Sequence, residues 1–249
     1  MNSSPVEQSI SPPPGSRSAP VPWTARDVWL GIAGFTIWIV AFVGLKLAVD
    51  WLAIDVDAGL AVTSGELLLL VPVWWLTMRK YGVGWQSLGL RRFEAGALGM
   101  GCGLMLLSFL FNFVYGSLLA FFGLRMQVDL VPILQSLSSP WLFLIGGAVI
   151  APIVEEIFFR GFIFAGLRPY YGWQKAALIS SLIFALVHLT LNAIVPIFIL
   201  GYIFALLYQV SDSIWPSILM HVLTNTLALG AAYYLANNPE LLEQALIVF

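Results

Sequence analysis

Both histidines of this 249-residue sequence lie in apolar stretches: FALVH ends at His188, and HVLTN begins at His221. A third apolar run carries EEIFFR, which places Glu155, Glu156 and Arg160 together. On the gentlest scale, an ionisable side chain at the centre of a membrane helix costs about 2.5 to 3.5 kcal/mol. Groups retained at that cost need a reason. A carboxylate and an imidazole converging in a restricted wet pocket can activate water, with Glu155 as general base and His188 orienting that water. His221 and Asn225 are four apart and so share a helix face. They suit the donation of hydrogen bonds to the oxygen that turns negative as a carbonyl is attacked. Only peptide or ester hydrolysis uses all four groups with none left over.

Glu156 and Arg160 are also four apart, acid before base, the favourable order for an internal ion pair that supports the site by orienting its helix. Glu155 is rotated about 100° from Glu156 and must point at something else. Phe184, one turn before His188, is expected to pack in support. Glu66, central in another apolar stretch, is expected first as a carboxyl bonded to a neighbouring helix, with a role in the site as the lesser reading. Asn112 and Asn192 carry weaker signals still.

The elements that must position these groups follow from composition. Hydrophobic residues make up 60% of the chain and charged ones 10%, against roughly 25% charged in soluble domains. Water-soluble folds drop out, and the expected fold is an all-α, polytopic transmembrane helix bundle. A net charge of -2 offers no basic field, which excludes nucleic acid as a partner. The lone cysteine, Cys102, can form no internal disulfide. Crossing the hydrocarbon takes about 20 apolar residues. Such segments lie near 28 to 49, 58 to 78, 96 to 122, 141 to 164, 174 to 190, 194 to 210 and 214 to 236. The expectation is therefore about seven spans, with the catalytic core in the last four. An eighth span is the alternative, but the segment after Pro239 is too short for one. The third span is long enough to tilt or to break at Gly116. The fifth and sixth are short, and a turn between them near Asn192 and Pro196 that dips into a water-filled cavity would bring His188 toward the other groups.

Residues 1–25, rich in Pro and Ser, are expected to be a disordered tail, and residues 26–249 the membrane domain, with its core at about 140–236. Arg17, Arg26, Arg79, Lys80, Arg91, Arg92, Arg168 and Lys175 fall on one side of seven spans. The positive-inside rule then puts the N-terminus of a multi-pass cell-membrane protein in the cytoplasm.

EEIFFRG, FALVH and SIWPSILMHVLTN, in that order, resemble the three signature motifs of the CPBP family of intramembrane proteases. This is the CAAX-processing and bacteriocin-immunity (Abi) family, which includes the prenyl endopeptidases of the Rce type. The resemblance covers roughly residues 140–236, and SLGLR, from Ser87 to Arg91, is similar to a segment common ahead of the core in bacterial members. It implies Glu155 as the water-activating glutamate, His188 as its partner, His221 and Asn225 as the oxyanion pair, and Glu156 and Arg160 as support. It also implies a membrane-embedded or lipidated peptide or protein as substrate, met within the lipid bilayer. The count of seven spans departs from the eight of the prenyl endopeptidases. The family is often called one of metalloproteases, and Glu155, His188 and His221 could offer zinc two nitrogens and an oxygen with a place left for water. No HExxH stands on one helix, however, and the same residues serve a metal-free glutamate site, so no cofactor is favoured and zinc is the alternative. Two other functions compete: a catalytically silent immunity or binding protein of the same family, and a proton-coupled carrier. The carrier lacks support from repeat symmetry, because the polar residues concentrate in spans four to seven.

Overall fold

Six helices of the computed structural model are long and apolar enough to cross a bilayer: Ala25–Trp51, Ala58–Arg79, Gly96–Phe121, Trp141–Tyr171, Leu191–Ser211 and Trp215–Ala236. A shorter apolar helix, Trp173–Val187, lies between the fourth and the next. Taken in chain order these are the first to seventh spans, and they coincide with the seven apolar segments of the sequence. The structure describes residues 21–126, 129–137, 139–238 and 240–241, and among these there is no strand. The fold is a polytopic helix bundle. Gly96–Phe121 runs through Gly116 without a break.

The first span starts at Ala25 because Thr24 caps it. The Thr24 hydroxyl accepts from the Asp27 amide at 3.3 Å, and the Asp27 carboxylate accepts from the Thr24 amide at 2.9 Å. Asp27 is 1% exposed and also accepts from Lys80 Nζ and Tyr81 Oη, which ties the start of the first span to the end of the second. The hydrogen bond to Asp27, with a second contribution from Tyr81, holds the Lys80 ammonium above the usual lysine range. The packed structure reaches back into the stretch expected as a tail: Trp23 is 1% exposed, and its indole donates to the Phe162 carbonyl at 3.1 Å. Residues 1–20 lie outside the described residues, as does most of the segment after Pro239.

The fourth span is the axis of the bundle. Every residue from Glu156 to Arg168 is buried, as expected of a helix apolar on all sides. Its regular turn Ala151–Glu156 is flanked by two π-helical stretches, Gly146–Ile150 and Ile157–Phe164. Widened turns of this kind recur at functional sites, where they re-aim side chains. The SLGLR segment clasps the end of the bundle where the sixth span turns into the seventh. Leu88 is fully buried, and Gly161 lets it approach so closely that a Cβ there would lie 2.7 Å from the Leu88 carbonyl oxygen. Gly89 turns with φ +90°, a conformation natural to glycine, and its carbonyl accepts from the Ile214 amide at 2.9 Å. Arg91 pairs with Asp212 at 2.9 Å.

The fifth span has 15 residues, about 22 Å of helix, against a hydrocarbon core about 30 Å thick. It therefore ends inside the membrane thickness. Leu189, with φ +54°, and the 3-10 turn Leu191–Ala193 reverse the chain there; the sixth span, Leu191–Ser211, has 21 residues and is not short as expected, because the 3-10 turn extends its start.

Candidate active site

Glu156 is fully buried at the end of the regular turn, and its Oε1 accepts from Arg160 Nη1 at 2.9 Å. The same oxygen lies 3.0 Å from His221 Nδ1. A carboxylate only accepts, so the hydrogen of this contact is on Nδ1, and the imidazole turns Nε2 the other way. Nε2 stands 3.6 Å from Glu155 Oε2, within ion-pair range but beyond a hydrogen bond. The two adjacent acids thus bracket one imidazole.

Arg160 needs more than one partner, because a buried cation is costly unless its donors are satisfied. Nη2 donates to the Gly201 carbonyl at 3.0 Å, and the guanidinium lies 4.4 Å from the Phe184 ring centre and 5.3 Å from that of Phe204. Gly201 leaves room for this: a Cβ there would sit 3.1 Å from both Arg160 Nη2 and Phe184 Cδ1.

His188 caps the fifth span, where the helix ends within the membrane. Its Nδ1 donates to the Phe184 carbonyl at 2.7 Å, which leaves Nε2 for water. The Phe184 ring presents edges to both imidazoles, 4.8 Å from the His188 ring and 5.7 Å from the His221 ring. Phe204 stacks on His221 at 4.8 Å. Asn225 uses one N–H on the Gly147 carbonyl at 3.0 Å, a link between the seventh and fourth spans, and keeps a second N–H.

His188, His221 and Asn225 line one cavity of about 350 Å³, together with Phe184, Gly147 and Thr190. The cavity has mostly apolar walls into which these few polar groups are set, and room for several waters. Glu155 does not line it. Its side chain is 14% exposed, and its Oε2, buried and without a hydrogen-bond partner, reaches the cavity wall across His221 Nε2. Glu155 and His188 are not hydrogen-bonded to each other. The structure thus gathers His188, His221 and Asn225 directly and joins Glu155 to them through His221. Among the described residues, no three His, Cys, Asp or Glu side chains converge as a metal site. In this arrangement Glu155, His188 and His221 do not form such a group.

Sequence reasoning did not reach Phe204, Gly201 or Gly147. Each is an apolar or glycine position inside an apolar span, where a site residue looks like a lipid-facing one. Phe184 was read only as packing, whereas its carbonyl fixes the His188 ring.

Fold and site together define a polytopic membrane protein with a polar, cavity-lined centre built from its fourth, fifth and seventh spans. Residues 137–227, which hold all four groups, match the family model described as type II CAAX prenyl endopeptidase Rce1-like. Over 94 residues the chain is 37% identical to YdiL of Bacillus subtilis (strain 168), by its name a candidate membrane peptidase. That match covers 38% of this chain and 38% of the relative's length. No solved structure gives a significant match.

Proposed function

We propose that the chain is an intramembrane endopeptidase that hydrolyses a peptide bond of a membrane-embedded or lipidated protein or peptide. The observation that carries this reading is the convergence, inside a helix bundle, of two imidazoles and an amide on one cavity, with an otherwise unpartnered carboxylate 3.6 Å from one of the imidazoles. The family of residues 137–227 and the name of the relative support the same chemistry.

In the proposed reaction Glu155 takes a proton from a water that His188 Nε2 orients, and the water oxygen attacks the scissile carbonyl carbon. The resulting oxyanion is met by the remaining N–H of Asn225 and by His221 Nε2–H, the His221 ring carrying a proton on each nitrogen in this step. The tetrahedral carbon then expels the amine nitrogen, which takes up the proton held by Glu155, leaving a carboxylic acid and an amine, and passage of the acid's proton to the amine gives the carboxylate and ammonium products. Glu156 and Arg160 act by holding the His221 ring. The basic residues Arg79, Lys80, Arg91, Arg92, Arg168 and Lys175 support an N-terminus in the cytoplasm.

Purified protein in detergent, incubated with a panel of membrane peptides and read by mass spectrometry, tests the proposal. The wild type should give discrete products, His188→Ala should slow their appearance by about 10²- to 10⁴-fold, and a chelator should leave the rate unchanged. Equal cleavage by wild type and His188→Ala would remove the mechanism. Activity lost on chelation and restored by zinc would show that a metal takes part. Ion flux dependent on Glu155, with no cleavage, would make the chain a carrier.

A further inference from the structure

The three motifs leave out a carboxyl that the fold brings to the same place. Glu66 lies in the second span, which packs along the fourth at close range. Gly59 sits against the Phe143 backbone, where a Cβ would lie 2.6 Å from the Phe143 nitrogen, and one turn on Gly146 presses against the Thr63 hydroxyl. The two helices advance together, 59 with 143 and 63 with 146, so the next turn sets Glu66 level with about residue 150. Glu155 is then about 7 Å further along the axis. Two glutamate side chains can span that offset with one water between them.

Four oxygens of this helix pair are buried without a hydrogen-bond partner: Thr63 Oγ1, Glu66 Oε2, Glu155 Oε2 and Glu156 Oε2. Thr63 is only 7% exposed. Bare polar atoms are expensive inside a membrane, and buried water commonly satisfies several such groups at once. Thr63 and Glu66 are three apart and so share a helix face, the face that Thr63 turns to the fourth span.

We propose that Glu66 is a positioning residue of the hydrolytic site, holding with Thr63 a bound water that hydrogen-bonds Glu155 Oε2 and sets its orientation. The second span thereby becomes the fourth contributor to the centre. This rests on Glu155 being the general base, and its test is separate from the test of that reading.

Infrared spectra of the full-length protein in detergent, recorded for wild type and Glu155→Gln, identify the carboxyl band that belongs to Glu155. That band should shift in Glu66→Leu and in Thr63→Val and lie nearer its wild-type position in Glu66→Gln, whose amide can still anchor the water. Turnover of a cleaved panel peptide should fall by up to about a hundredfold in Glu66→Leu with KM little changed, and Glu66→Gln should recover much of it. A Glu155 band unmoved in folded Glu66→Leu overturns the proposal. If Glu66→Leu fails to fold, an unmoved band in the near-isosteric Thr63→Val does so. Wild-type cleavage by Glu155→Gln would instead remove the reading of Glu155 and leave the band result to speak for the water alone.

Discussion

Glu156 shares one oxygen between Arg160 and His221, at 2.9 and 3.0 Å, so the ion pair also sets the direction of an imidazole on another helix. The pair was legible in the sequence from the spacing of acid and base on one helical face. Its third partner was not, because His221 is 65 positions away and no local pattern ties the two. Removing one member strands the other as a buried charge, at a cost of about 3–5 kcal/mol. Glu156→Gln and Arg160→Met should each lower unfolding stability in detergent by that order, and the double variant should lose less than the sum of the two. Additive losses would mean that the two charges do not depend on each other. The place of His188 on the cavity was legible in its residue type and apolar surroundings. Its ring orientation was not, since the group that fixes it is the backbone carbonyl of Phe184, which carries no sequence signature.

Helix lengths were readable because the bilayer sets them, and the short fifth segment pointed to a chain reversal near Asn192, whereas the sixth helix is longer than its apolar run because the 3-10 turn joins it. The π-helical stretches around Ala151–Glu156 were not readable, because an extra residue per turn leaves an all-apolar run looking the same. Close approaches were equally hidden: nothing distinguishes Gly161, which faces the Leu88 carbonyl, from Gly103 or Gly116, which face open space. Gly161→Ala should therefore cost about 1–3 kcal/mol through overpacking, while Gly116→Ala should leave the thermal unfolding midpoint unchanged or slightly raised. Equal effects at the two positions would contradict the clasp at Leu88. If the turn after His188 lines a wet cavity, a cysteine at Thr190 in a Cys102→Ala background should react with a small water-soluble thiol reagent. A cysteine at Leu182, on an apolar exposed face of the same span, should not. Silence at both positions would mean that the cavity is closed to water.

At the scale of the whole molecule, composition alone was enough for the class, since a chain so rich in apolar residues has few stable alternatives to a helix bundle in lipid. Neighbour relations were out of reach, which is why Glu66 looked like a bystander: sequence order does not say that the second span lies beside the fourth. The charge asymmetry of the loops predicts that a reporter fused before residue 25 is active only in the cytoplasm, and activity on the far side would invert the bundle. The hydrolytic reading rests on one carboxylate acting on one water. Its most direct measurement is the turnover of Glu155→Gln on a peptide that the wild type cleaves, with the variant shown to be folded by its unfolding midpoint. Loss of the general base should reduce turnover by about 10²- to 10⁴-fold, and a folded Glu155→Gln that cleaves at the wild-type rate would contradict the account.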